Sequence, residues 1–381
     1  MKLRSIILAA GLAGAAATGA IADGHGGKVK VGMITTLSGG GAGLGIDVRD
    51  GFMLATKGNE NIELVIEDDQ RKPEIAVQLA DKMIQSEKVD VMTGIIWSNL
   101  AMAVVPAATA QGKFYLSPNA GPSALAGKGC SPLYFNVAWQ NDAFYEAGGT
   151  WASENGVEKV FLMAPNYPAG TDGMTGFKRT FKGEVVAEVY TQLGQTDYAA
   201  EISQMRASDA DTIYFFLPGG MGISFMKQYA GSGVDKPVMG PAFSFDQGIL
   251  GAIGDAALGA KNTSHWSKDL DNQANQKFVA DFQAEYGRLP SLYAAQGYDT
   301  ALLLMSAASK ADVKDTEAFR AALNEADFAS VRGKFKFAPN QHPIHDIYMR
   351  EVVKEGDVVT NKVIGIAAKD HTDVYGVDCK M

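Results

Sequence analysis

Gly94-Ile95-Ile96-Trp97-Ser98-Asn99 is an apolar, β-like run that ends abruptly in a hydroxyl and an amide, just before a helical pattern begins. Such an end is where an open α/β sheet holds a ligand. A helix starting near Asn99 leaves its first backbone N–H groups without intrahelical partners, pointing together beyond the strand end. Their partial positive charge favours an anion. Ser98 can add a hydroxyl donor and Trp97 a flat apolar wall. The hexapeptide alone leaves a plainer reading open, in which Ser98 or Asn99 only caps the helix.

The run belongs to a series of β-then-α units. Upstream, Lys28 to Leu37 alternates and is β-branched, the glycine loop Ser38 to Gly45 leads into a helix to Lys57, and strand Ile62 to Glu67 precedes a helix beginning at Pro73. The strand Val89 to Ile96 enters the hexapeptide, followed by helix Leu100 to Gln111, which Pro106 should kink or interrupt. Phe114 to Leu116 then runs into the loop Ser117 to Pro122. Four such units predict a parallel sheet covered on both faces. After a further strand, Leu133 to Gln140, the cycle restarts with helix Asn141 to Asn155, which Asn141 should cap. Alternating strands and helices continue to Trp266, a second α/β layer of similar size. Three helices and three strands close the chain. They are too few for a third domain, so the chain should cross between the two layers more than once.

Composition narrows the function. The chain has 381 residues and a formal charge of −9, which argues against nucleic acid or an anionic membrane as partner. Residues 1–22 read as a signal peptide, with Lys2 and Arg4, an apolar Ile6 to Ala17, and the cleavage site Ala20-Ile21-Ala22. No later run has the roughly 20 apolar residues that span a bilayer, so the expected location is the periplasm. The two cysteines, Cys130 and Cys379, are expected to form one bridge tying the tail to the first half. The five histidines form no metal set, and no metal or cofactor is expected. Cleavage after Ala22 would expose Asp23-Gly24-His25, which can hold Cu(II) or Ni(II) in a square plane, although a chance tripeptide is the plainer reading. The glycine loop contains no GxGxxG and the chain no GxSxG, against dinucleotide binding and hydrolysis.

The chain resembles the leucine/isoleucine/valine-binding family of ABC-transporter substrate-binding proteins. The likeness is carried by KVGMITTLSGGGAGLG, IEDDQRKPEIAVQLADKMI, GIIWSN, FYLSPNAGPSAL, QTDYAAEISQMRASDADTIYFF and HPIHDIYMREVV in that order. It implies a type I periplasmic binding fold: two doubly wound parallel-sheet lobes joined by a three-segment hinge, near Asn136–Trp139, Ser264–Lys268 and Pro339–His342. The first lobe would hold 28–138 and 266–340, the second 139–265 and 341–368, with the tail 369–381 tied back to the first. Ligand would sit in the cleft, and permease subunits would recognise the closed form. No catalysis and a monomer are expected.

Residue by residue, the resemblance places Ser98 where a serine binds the ligand carboxylate, with Asn99 beside it. Asn119, Ala120 and Gly121 fall on a second carboxylate loop, whose hydroxyl-bearing position is Gly121 here, so that one hydrogen bond is missing or moved to Asn119. The glutamate that accepts the ammonium of amino-acid ligands corresponds to Ala242, followed by Phe243. A buried ammonium without a counter-charge is costly, which argues against an α-amino acid. Two pocket tyrosines are replaced by Leu44 and Leu217, while Tyr167 adds a ring on the second lobe. Trp97, Tyr167 and Phe243 should then form an apolar slot with the Ser98 helix end as its anionic pole. This resembles the branch that takes benzoates and phenylpropenoates. Branched-chain amino acids or keto acids are the alternative ligands, and a sensor with the same lobes is the alternative class. Trp139 and Trp266 flank the crossings and can touch ligand, with hinge packing the plainer role, and Gln296 is expected to be a packing or capping residue.

Overall fold

The computed structural model describes residues 28–381, so the signal peptide and Asp23-Gly24-His25 lie outside the described residues. Five strands form the first sheet: β1 (Val29–Thr35), β2 (Ile62–Asp68), β3 (Val91–Thr93), β4 (Phe114–Ser117) and β5 (Tyr134–Asn136). They are all parallel, in the order β2-β1-β3-β4-β5. Between them run α1 (Ala42–Thr56), α2 (Pro73–Gln85), α3 (Ser98–Ala110) and the short α4 (Ser123–Ala126). Central strands read as continuous apolar runs because helices cover both faces.

The chain leaves this sheet after β5 and enters α5 (Ala143–Glu154), which begins the second layer. There β6 (Lys159–Pro165), β7 (Glu184–Thr191), β8 (Thr212–Phe215), β9 (Val238–Pro241) and β10 (Lys261–Ser264) alternate with α6 (Pro168–Thr180), α7 (Ala199–Ala207), α8 (Gly220–Gly231) and α9 (Gln247–Ile253). It returns through residues 265–272 to α10 (Gln273–Tyr286), α11 (Leu292–Lys310) and α12 (Thr316–Asn324). Helix α11 lies along α1, and its Leu303 and Leu304 share a core with Val31, Phe52 and Leu116 of the first layer. From β11 (Phe335–Phe337) the chain crosses again into β12 (Pro343–Glu355) and β13 (Val358–His371). The second sheet has the order β11-β12-β10-β9-β8-β6-β7, with β13 on β12. It is therefore not wholly parallel: β12 runs antiparallel to β10, β11 and β13, and for the β12–β13 pair the tight return requires it, since a parallel pair would need a long crossover.

Buried charge locks the passages between layers. The Arg332 guanidinium, 2% exposed with its residue, donates to Asp299 Oδ2 at 2.9 Å and to the carbonyls of Val137 and Ala138 at 2.6 and 2.8 Å, in the first crossing. Arg350 binds Asn262 Oδ1 at 2.7 Å and the Trp266 carbonyl at 2.9 Å, in the second. A disulfide joins Cys130 to Cys379, 5.7 Å between Cα atoms, and Asn340 Nδ2 holds Asp373 of the tail. No helix among the described residues is long and apolar enough to cross a membrane.

Two local expectations change. β3 stops at Thr93 instead of Ile96, because Gly94 takes φ +109° and turns the chain off the ladder. α3 is not interrupted at Pro106; the helix runs from Ser98 through to Ala110.

Candidate ligand-binding site

Each sheet directs strand ends at the other, and between them lies a buried cavity. Leu44, Ile96, Trp97, Ser98, Asn119 and Tyr293 come from the first layer. Tyr167, Ala169, Phe216, Pro218 and Phe243 come from the second, and Trp139 from the first crossing. The cavity holds about 10 Å³, room for about one water, so its side chains are nearly in contact across the cleft. Beside it a groove of about 950 Å³ opens at the cleft mouth, past Gly39, Gly219, Asp246 and Arg288, and shares Leu44 and Tyr293 with the cavity.

The polar pole is the start of α3. Its N-cap is Trp97, whose side chain makes no capping bond, so Ser98 is the first helical residue and not a cap. The Trp97 carbonyl accepts from Leu100 and Ala101, while the N–H groups of Ser98 and Asn99 have no partner among the described residues. Ser98 Oγ receives Asn141 Nδ2 at 3.2 Å and faces Asn141 Oδ1 at a long 3.4 Å. Asn141 thus serves Ser98 and does not cap α5, where Asp142 takes the N-cap place. The cavity lining contains no Asp, Glu, Lys or Arg. A carboxylate would be met there by helix N–H groups and a hydroxyl, and an ammonium by no charged group of the lining.

Aromatic rings make the walls. Trp97 is fixed by Nε1 donating to Thr36 Oγ1 at 2.9 Å, and its ring centre lies 6.1 Å from Tyr167 across the cleft. Arg71 stands 5.5 Å over the same ring. Phe243 sits 4.4 Å from Trp139, 6.0 Å from Phe216 and 5.8 Å from Tyr293. Burial pushes the hydroxyls of Tyr167 and Tyr293 well above the usual range, keeping both rings neutral.

The residues singled out in the sequence divide in two. Leu44, Trp97, Ser98, Asn119, Tyr167 and Phe243 line the cavity, whereas Asn99, Ala120, Gly121, Leu217 and Ala242 do not. The Ala120 carbonyl is occupied by Ser117 Oγ and Tyr134 OH, and the Leu217 N–H by Ser244 Oγ. Asn119 Nδ2 donates to the Ile96 carbonyl at 2.7 Å, which turns the unpartnered Oδ1 away from it. The second Nδ2 hydrogen of Asn119 stays free to donate. Trp139 is a cavity wall as well as hinge packing, and its buried Nε1–H has no partner among the described residues. Ala169, Phe216, Pro218 and Tyr293 also line the cavity, and nothing in the sequence marks them. Trp266 packs on Phe278 and bonds Asn275, away from the site. Asp68 accepts the Leu37 N–H and Asp69 the Thr36 hydroxyl, while Asp172 accepts the Ser123 N–H.

The family model described as periplasmic binding protein matches residues 28–357. The chain belongs to that family. A solute-binding protein of an ABC transporter from R. palustris, solved in complex with benzoate, is 33% identical with a TM-score of 0.88, covering 93% of this chain and 100% of that one. Another R. palustris solute-binding protein, in complex with 4-hydroxybenzoate, is 27% identical with a TM-score of 0.84 over 91% and 98% of the two chains. The Leu/Ile/Val-binding protein homolog 6 of Brucella melitensis is 28% identical over 362 residues, 90% of this chain and 91% of its own. The type I periplasmic binding fold, with its two facing sheets, is the fold of this family member.

Proposed function

We propose that this chain is the extracytoplasmic solute-binding component of an ABC importer and that it carries an aromatic carboxylate, of benzoate or phenylpropenoate type, without chemical change. The observation that carries the reading is the cavity itself. Rings line its walls, the start of α3 and Ser98 form its polar pole, and no carboxylate faces it to receive an ammonium. Sequence and structural likeness to benzoate and hydroxybenzoate complexes agrees with that chemistry.

On this reading the lobes are 28–138 with 266–340, and 139–265 with 341–368. They part to admit the ring and close over it, since the cavity in the closed form is too small to receive one unaided. The monomeric closed form is the species that permease subunits engage in the periplasm. A thermal-shift and calorimetric panel tests the proposal: benzoate, 4-hydroxybenzoate, a phenylpropenoate, an aliphatic keto acid and leucine. Aromatic acids should raise the melting temperature by mass action and leucine should not. A strong response to leucine alone would remove the ligand assignment, and conversion of any bound compound would remove the transport assignment.

A further inference from the structure

Ser98 is connected across the cleft by two further side chains. Asn141, in the crossing that leaves the first sheet, uses its single Nδ2 for two contacts: Ser98 Oγ at 3.2 Å and Asp172 Oδ2 at 2.8 Å. Asp172 belongs to α6 of the second layer. The same Oδ2 accepts the backbone N–H of Ser123, the first residue of α4 in the first layer, at 2.9 Å. The carboxylate therefore bridges the two layers, and it exists in this environment only while they are together.

The chain of bonds has a direction. An ionised carboxylate only accepts, so Asp172 fixes which end of the Asn141 amide is Nδ2. Nδ2 then donates to Ser98 Oγ and occupies one of its lone pairs. The hydroxyl hydrogen is left to donate, and its only protein acceptor among the described residues, Asn141 Oδ1, is a long 3.4 Å away. A ligand oxygen at the start of α3 is a better acceptor for that hydrogen. Without Asp172, Asn141 is free to rotate and present Oδ1 squarely to Ser98, consuming the hydrogen.

We infer that Asp172 and Asn141 are positioning residues that aim the Ser98 hydroxyl into the cavity when the lobes close, so that carboxylate capture and closure are one event. The inference rests on the reading of Ser98 as a carboxylate donor. Desolvation raises the Asp172 carboxyl above its ordinary range in this state, as expected of an acid buried by lobe contact.

A double-mutant cycle tests it on the full mature chain, with benzoate as probe, by titration calorimetry and stopped-flow tryptophan fluorescence. Ser98→Ala and Asp172→Ala should each weaken benzoate about tenfold, the loss of one charge-assisted bond. The double variant should be no weaker than Ser98→Ala alone, and the loss from Asp172→Ala should fall on the dissociation rate. Asp172→Asn, which keeps an acceptor for both donors, should recover most of the affinity. Where Asp172→Ala does not fold, the Asn141→Ala with Ser98→Ala cycle asks the same question. Additive losses would overturn the positioning role and leave the carboxylate reading standing. An unchanged affinity in Ser98→Ala, or no benzoate binding by the wild type, would overturn both.

Discussion

A Cβ built on Gly121 would sit 1.9 Å from the Trp139 carbonyl oxygen and 2.4 Å from Asn136 Nδ2. The space that a side chain at this position would need is filled by the first crossing. Gly121→Ser should therefore fail to restore a ligand contact, and it should destabilise the protein by at least about 1–3 kcal/mol, the usual cost of overpacking. Urea denaturation measures it; a neutral result would mean the crossing gives way. Ser98→Ala, by contrast, removes a side chain that caps nothing and accepts one bond from Asn141, so stability should fall by about 1 kcal/mol or less while a carboxylate ligand weakens by about 1–3 kcal/mol. Calorimetry beside a melting curve separates the two effects. At this scale the sequence was legible where residues sit on strand ends of known direction, as for Trp97, Ser98 and Phe243. It misled at Leu217, since side chains alternate beyond β8: Phe216 and Pro218 turn to the cavity and Leu217 turns away. Tyr293 was illegible because a helix from far along the chain reaches the site only through tertiary packing.

Among the elements, α3 owes its position to one glycine. At φ +109° Gly94 lies where L-residues are rare, and a Cβ there would meet the Ile34 carbonyl at 2.5 Å. The bend it permits ends the ladder with β1 and β4, leaving four residues before the helix, and lets Ile95 N–H bind Tyr115 OH at 3.2 Å. Gly94→Ala should cost about 1–3 kcal/mol from backbone strain alone and shift the start of α3, so that stability and benzoate affinity fall together. Loss of stability with full affinity would show that the helix start is held by its other contacts. Apolar runs and caps gave away the existence and order of these elements. The strand written across Val89 to Ile96 was too long because a glycine inside an apolar run does not reveal its φ. Pro106 stays inside α3, although proline in a helix interior removes one hydrogen bond and usually kinks the chain.

For the whole molecule, acids of both layers meet at one seam. Asp246, at the start of α9, accepts the Leu292 N–H of α11 at 3.0 Å, and Asp47 of α1 binds Arg288 at 2.7 Å close by. A Cβ on Gly248 would be 3.2 Å from Asp246 Oδ1 and 3.5 Å from Asp47 Oδ2, so the two carboxyls share one small volume. Burial, against the pull of Arg288 and Ser291, pushes the Asp47 carboxyl up to about 7. The sign of the consequence follows from proton linkage. Below the ordinary carboxylate range Asp47 is protonated folded and unfolded, and its contribution is fully present. As pH rises towards 7 the unfolded chain releases the proton while the folded chain keeps it, so stability falls, by on the order of 1 kcal/mol per pH unit, and levels off beyond. Asp246, raised by burial in the same way, adds to that trend. Asp47→Asn removes the titration at the cost of a pH-independent change in the Arg288 contact. Its melting temperature relative to wild type should therefore climb steadily between pH 4 and 7 and stay level above. A difference that does not vary with pH would mean that solvent reaches Asp47, and that the seam between the lobes is open in solution.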